Sequence, residues 1–152
     1  MFLLFVVSFS LVFSSNQIFV ACEGNFYQEN GSLWTIIDDE VYEYSENPVG
    51  EILQSVLVHG NILFAIVNVS SNIKVFNILD EGLELLHTID TQYSGPREMI
   101  AIDDYLYFSN WYTSDIKRLN LNTWIVDQEI DMPGLPEDIV ERYARSRSVA
   151  AP

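Results

Sequence analysis

Chemistry in this chain would have to come mainly from carboxylates, because acidic residues outnumber basic ones 22 to 7. Asp38-Asp39-Glu40 and Asp103-Asp104 set carboxylates side by side. A calcium loop needs alternating oxygen ligands, a glycine at its bend and a distal bidentate Glu, and neither run supplies them, so no metal site is expected. His59 and His87 have no further histidine at ligand spacing and no Ser or Cys motif that a base could activate. Hydrolase chemistry is therefore unsupported, and no catalytic residue or cofactor is expected. The single cysteine, Cys22, excludes an internal disulfide framework and a multi-cysteine zinc centre, and reads as a small buried strand residue. Trp34, Trp111 and Trp124 are expected on strands, packing between layers rather than offering a stacking platform. The sequons Asn30-Gly31-Ser32 and Asn68-Val69-Ser70 matter only in a eukaryotic secretory pathway.

The elements that would position any site come from an internal repeat. Ile73–Ile78 matches Ile116–Leu121, and Leu63-Phe64-Ala65 matches Leu106-Tyr107-Phe108, both at an offset of 43 residues. A period of ~40–45 residues made of short alternating strands is that of a four-stranded propeller blade, and the 3.6-residue periodicity of helical repeats is absent. The expected fold is all-β: a partial β-propeller of about three four-stranded antiparallel blades plus the start of a fourth. The first blade spans about 17–47, with strands Gln17–Cys22, Ser32–Ile37 and Val41–Ser45. The second spans about 50–90, with Leu53–Val58, Asn61–Val67, Ile73–Ile78 and Leu83–Ile89. The third spans about 95–131, with Met99–Ile102, Tyr105–Trp111, Ile116–Leu121 and Trp124–Ile130. Pro136–Val140 then repeats Pro96–Ile100 at an offset of 40 and starts another blade at 135–140.

The repeat superposes the residues that open successive inner strands. Gln54, Arg97 and Glu137 are equivalent, as are Ser55, Glu98 and Asp138. Inner strands line the axis of a propeller, so these six form a polar row at one channel mouth, where such folds place ligands. Arg97 matters most, as a bidentate partner for a carboxylate or phosphate. The simpler alternative is that the six solvate the mouth and pair with one another.

Charge and the N-terminus bear on compartment and partners. Between Glu23 and Glu141 the 22 acidic residues face only Lys74, Arg97, Lys117 and Arg118, so the body repels phosphate backbones and nucleic-acid binding is not expected. Phe2–Phe13 is an apolar run of signal-peptide length followed by Ser14 and Ser15, although no Lys or Arg precedes it. Residues 1–15 are read as an export signal or N-terminal hydrophobic segment, which puts the protein in the periplasm, at the cell surface or in the medium. Gln17–Cys22 is claimed by the repeat, so no membrane span is expected in the mature chain. Val20-Ala21-Cys22 also looks like the end of a lipoprotein signal, but Phe19 stands where a leucine is usual and polar Asn16 and Gln17 intervene.

Leu106-Tyr107-Phe108-Ser109-Asn110 resembles the tyrosine-valine-threonine-asparagine strand of the YVTN β-propeller repeats of exported bacterial and archaeal proteins. Phe64–Val67 is a weaker copy whose asparagine, Asn68, falls one place late. Glu23-Gly24-Asn25-Phe26 followed by Gly31-Ser32-Leu33 is similar to the opening of a secreted, uncharacterised bacterial propeller family of that type. The resemblance covers roughly residues 17–140. It implies a seven-bladed ring when complete and a superfamily that includes methylamine dehydrogenase heavy-chain-like subunits, but no activity.

The expected function is an exported binding or interaction module with no catalysis of its own, its partner a protein or small molecule. The alternative is a fragment of an exported lyase-like or quinoprotein-like subunit whose catalytic groups lie in blades beyond this chain. Three blades do not close a ring of ~4–8, so further blades are needed. Residues 141–152, with Arg142, Arg145 and Arg147, break the acidic repeat pattern and read as an unstructured, non-repeat tail.

Overall fold

Two-residue turns order the strands. Asp38 and Asp39 both hold positive φ (50° and 67°), the pair of left-handed residues that a type I′ hairpin demands. They fold β2 (Ser32–Ile37) back on β3 (Glu40–Glu43). In the computed structural model, which describes residues 16–142, eleven strands form three antiparallel sheets, and no helix occurs among the described residues. The first sheet runs β1 (Gln17–Cys22), β2, β3. The second runs β4 (Leu53–His59), β5 (Ile62–Val67), β6 (Asn72–Leu79) and β7 (Gly82–Asp90). The third runs β8 (Pro96–Ile102), β9 (Tyr105–Asn110), β10 (Asp115–Asn120) and β11 (Ile125–Asp131). No sheet closes on itself.

The sequence offset of 43 is also the structural register. Leu57 and Val75 flank Phe64 just as Ile100 and Arg118 flank Tyr107. Irregularities recur in step as well, after Leu53 and after Pro96, and again after Val75 and after Arg118. An extra residue in one strand of a pair bends and twists it locally, so both four-stranded sheets acquire the same curvature.

The second sheet is buried on both faces. Alternation sends Leu63, Ala65 and Val67 toward Leu33 and Val49, while Phe64 and Ile66 meet Met99, Leu106, Phe108 and Leu119 of the third sheet. Its central strand therefore reads as a continuous apolar run, ILFAIV, instead of an alternating one.

Several expectations need correction. Trp111 follows β9, and Trp124 sits in the β10–β11 turn at φ 58°, its ring 4.6 Å from that of His87. The backbone turn competes with its strand propensity and wins. Tyr44 and Ser45 lie beyond β3. Cys22 is on a strand but exposed, because no other described element covers the side of β1 that carries Ile18, Val20 and Cys22. Pro136–Val140 forms no strand. The Phe2–Phe13 run and most of the 141–152 tail lie outside the described residues. No described helix is long and apolar enough to cross a membrane.

Candidate functional site

β4 and β8 each form one edge of their sheet, and the two strands pack against each other. Equivalent register brings their openings side by side. Ser55 Oγ donates to Glu98 Oε2 at 2.9 Å, and the Glu98 amide donates to Ser109 Oγ at 3.1 Å. Arg97 Nε reaches Glu137 Oε2 at 2.7 Å, and its guanidinium carbon lies 5.0 Å from the centre of the Trp111 ring. Trp111 is itself stacked on Tyr112, with centroids 5.9 Å apart and an interplanar angle of 12°.

Four of the six residues of the polar row are thus brought into two contacts, Ser55 with Glu98 and Arg97 with Glu137. Gln54 occupies the same strand irregularity in β4 that Arg97 occupies in β8. Asp138 is not drawn in by any contact of its side chain with the others; its Oδ1 accepts from the adjacent Ile139 amide at 2.8 Å. The row offers a fixed guanidinium, held by an aromatic face on one side and a carboxylate on the other. Glu137 is the exposed partner, at 60% of its side chain against 28% for Arg97. An incoming anion would replace Glu137 while leaving the Trp111 contact in place. That arrangement suits recognition of a carboxylate or phosphate.

Compared with known proteins, the chain matches no family model and no curated protein. The likeness to YVTN repeats rests on the motif residues alone.

Among the described residues, no group of three or more His, Cys, Asp or Glu side chains could hold a metal ion. The structure does contain polar arrangements that the sequence did not mark. Lys117 is 5% exposed between the second and third sheets and pairs with Glu129 at 3.0 Å. Arg118 Nε donates to Asp127 Oδ1 at 2.8 Å, and its guanidinium lies 4.3 Å from the Tyr105 ring centre. The hydrogen bond holds the Asp127 carboxyl below its usual range. Lys117 matches Lys74 by offset, so its position was readable, but its burial depends on the neighbouring sheet.

A cleft of about 690 Å³ lies between the first sheet and the β6–β7 turn, lined by Tyr42, Glu43, Tyr44, Asp80, Glu81 and Leu83 among others. Tyr44 packs edge-on against Phe76 at 5.3 Å. Burial, followed by the nearby Glu46 carboxylate, pushes its phenol up to about 12 from 10.0. A group whose folded pKa is raised stabilises fully below its unfolded pKa and loses that contribution as pH rises through the folded value. The thermal midpoint is therefore expected to fall between pH 10 and 12, and Tyr44→Phe should flatten that part of the profile. Parallel melting curves of the two proteins from pH 8 upward check this.

Proposed function

We propose that the three sheets are consecutive blades of a β-propeller of the YVTN kind, and that the chain is an exported binding or interaction module. Its ligand site is the polar row of Gln54, Ser55, Arg97, Glu98, Glu137 and Asp138, and its ligand carries a carboxylate or phosphate. The observation that supports this reading most is the contact made across successive repeats at one register: the 2.9 Å bond from Ser55 to Glu98 joins β4 to β8, and the 2.7 Å pair of Arg97 with Glu137 joins β8 to the next repeat. A binding module needs no proton-transfer group, only fixed donors at a rigid place.

The experiment is a thermal-shift and calorimetric screen of small carboxylates and phosphate esters against the wild type, Arg97→Ala and Glu137→Gln. Ligands of the row should bind at least about tenfold more weakly to Arg97→Ala, because a charge-assisted bond is lost. Glu137→Gln should bind them more tightly, since the internal competitor has been neutralised. Equal affinity of all three proteins for every ligand found would exclude the row. Export is checked by fractionating an expressing bacterium: protein found wholly in the cytosol and still carrying Met1 would refute it.

A further inference from the structure

We propose that the β5–β6 turn and the end of β7 form a second binding site, which takes a neutral sugar ring. A hollow of about 250 Å³ opens there, walled by Ser70, Ser71, Asn72, Thr88, Asp90 and Tyr93. Each of these belongs to the second sheet or to the loop that leaves it, so the site is separate from the Arg97 row and does not need the propeller reading. Unmet hydrogen-bonding capacity marks the hollow. Among the described residues three buried side-chain atoms have no partner in the chain, and two of them, Ser71 Oγ and Asn72 Oδ1, belong to its wall residues. Ser71 is 5% exposed. Polar groups buried this deeply are normally paired, because leaving one unpaired costs more than its bond would contribute.

The unpaired atoms are a departure from the repeat. At the offset of 43, Asn72 corresponds to Asp115 and Val67 to Asn110. In the third sheet Asp115 Oδ1 accepts from Asn110 Nδ2 and from Thr113 Oγ1, both at 2.7 Å. In the second sheet valine replaces the first donor, and Ser70, the counterpart of Thr113, accepts the Glu51 amide at 2.9 Å through its Oγ. Asn72 Oδ1 is left with neither. The frame around it is nonetheless fixed. The Ser71 carbonyl accepts from the Thr91 amide at 3.0 Å and from Thr91 Oγ1 at 2.8 Å. Asn72 Nδ2 donates to the Ser70 carbonyl at 3.2 Å, and Asp90 Oδ1 accepts from the Gln92 amide at 2.7 Å.

The chemistry of the wall selects the ligand. Three aliphatic hydroxyls, a phenol, an amide and one carboxylate match a molecule that donates and accepts several hydrogen bonds and carries no charge. A calcium ion takes ~6–8 oxygens, several of them from carboxylates, and Asp90 is the one carboxylate in the wall. An anion would meet Asp90 and the net charge of −15. Tyr93, 86% exposed at the rim, adds a flat apolar face. Such a ring covers the C–H face of a pyranose while the sugar hydroxyls meet the polar wall. The volume lies below the ~300–1,000 Å³ of pockets for larger ligands, which limits the occupant to a single ring, either a free sugar or the end of a glycan.

Saturation-transfer NMR of the full chain tests this, with the methyl glycosides of glucose, galactose and mannose and with neutral oligosaccharides ending in each. At least one of these probes should bind with millimolar or tighter affinity, and its uronate counterpart should bind more weakly. Asp90→Asn, which keeps an acceptor for the Gln92 amide, and Tyr93→Asn, which keeps a residue that tolerates the φ of 58°, should each weaken binding at least about threefold. Ser71→Ala should do the same without lowering the thermal midpoint, because its hydroxyl makes no internal bond. Tyr27→Asn, at an exposed tyrosine of similar φ outside the hollow, is the control and should leave binding unchanged. Tighter binding of the oligosaccharides would assign the hollow to a glycan end, and tighter binding of the methyl glycosides to a free sugar; both support the site. No binding by any probe, equal affinity in the wild type and the three hollow variants, or preference for the uronates would overturn the proposal.

Discussion

Replacing Phe64 by alanine is expected to cost about 3–5 kcal/mol, a large share of the net stability of about 5–15 kcal/mol usual for a domain. Phe64 is 1% exposed at the middle of β5 and is part of the cluster formed with Ile66, Ile73, Val75, Leu106 and Phe108. Its ring also lies 6.5 Å from that of Trp124. Removing it leaves a cavity between two sheets, and neither can close over it without disturbing its own strand pairing. Urea titration followed by tyrosine and tryptophan fluorescence measures the loss. Phe26→Ala, at a side chain 47% exposed, is the control and should change stability by no more than about 0.5 kcal/mol. A loss below about 1 kcal/mol at Phe64 would mean that the second and third sheets are not packed as described.

The next largest effect is expected at Asn110, where leucine should cost about 2–4 kcal/mol. Asn110 is fully buried; its Oδ1 accepts from Ser94 Oγ at 2.7 Å, and its Nδ2 donates to Asp115 Oδ1 at 2.7 Å. Thr113 Oγ1 is the other donor to that carboxylate, also at 2.7 Å. Leucine keeps the branched outline but orphans the Ser94 hydroxyl and leaves the 8%-exposed Asp115 short of a donor. A buried polar group without its partner costs far more than the bond contributes. Asp115→Asn should recover part of the loss, so the double-mutant cycle will be non-additive. Strictly additive losses would show that the network does not act as a unit.

The two motif asparagines do different work. Asn110 ties together the turns around its own strand, whereas Asn68 Nδ2 donates to the Pro96 carbonyl at 2.8 Å and so fastens the second sheet to the third. Asn68 thus stands one place late in the pattern with a job of its own. Asn47 is a further case: its side chain donates to and accepts from the Leu33 backbone, both at 3.0 Å, and imitates a strand partner beside β2.

Strand order and register were legible in the chain itself. Gln17–Cys22 and Ser32–Ile37 fold with the limits their patterns imply, and the 43-residue offset reappears in cross-strand pairs and bulges. Side chains alternate faces with a period of two, so a one-residue slip would expose a whole apolar face, and register is therefore written locally. The equivalence of Ser55 with Glu98 was legible for the same reason. What the tertiary structure decided was cover and pairing. Cys22 and Val20 share one side of β1, and Cys22 is exposed because no sheet among the described residues faces that side. Lys117 carries a charge that composition assigns to the surface, yet the neighbouring sheet closes over it and Glu129 compensates it. Trp124 looked like a strand residue until the turn claimed its backbone and left its ring to cap Phe64 and His87. Alternation is a property of one strand and its hydrogen bonds, whereas burial is a property of whatever lies about 10 Å above it, and that neighbour comes from a distant part of the chain.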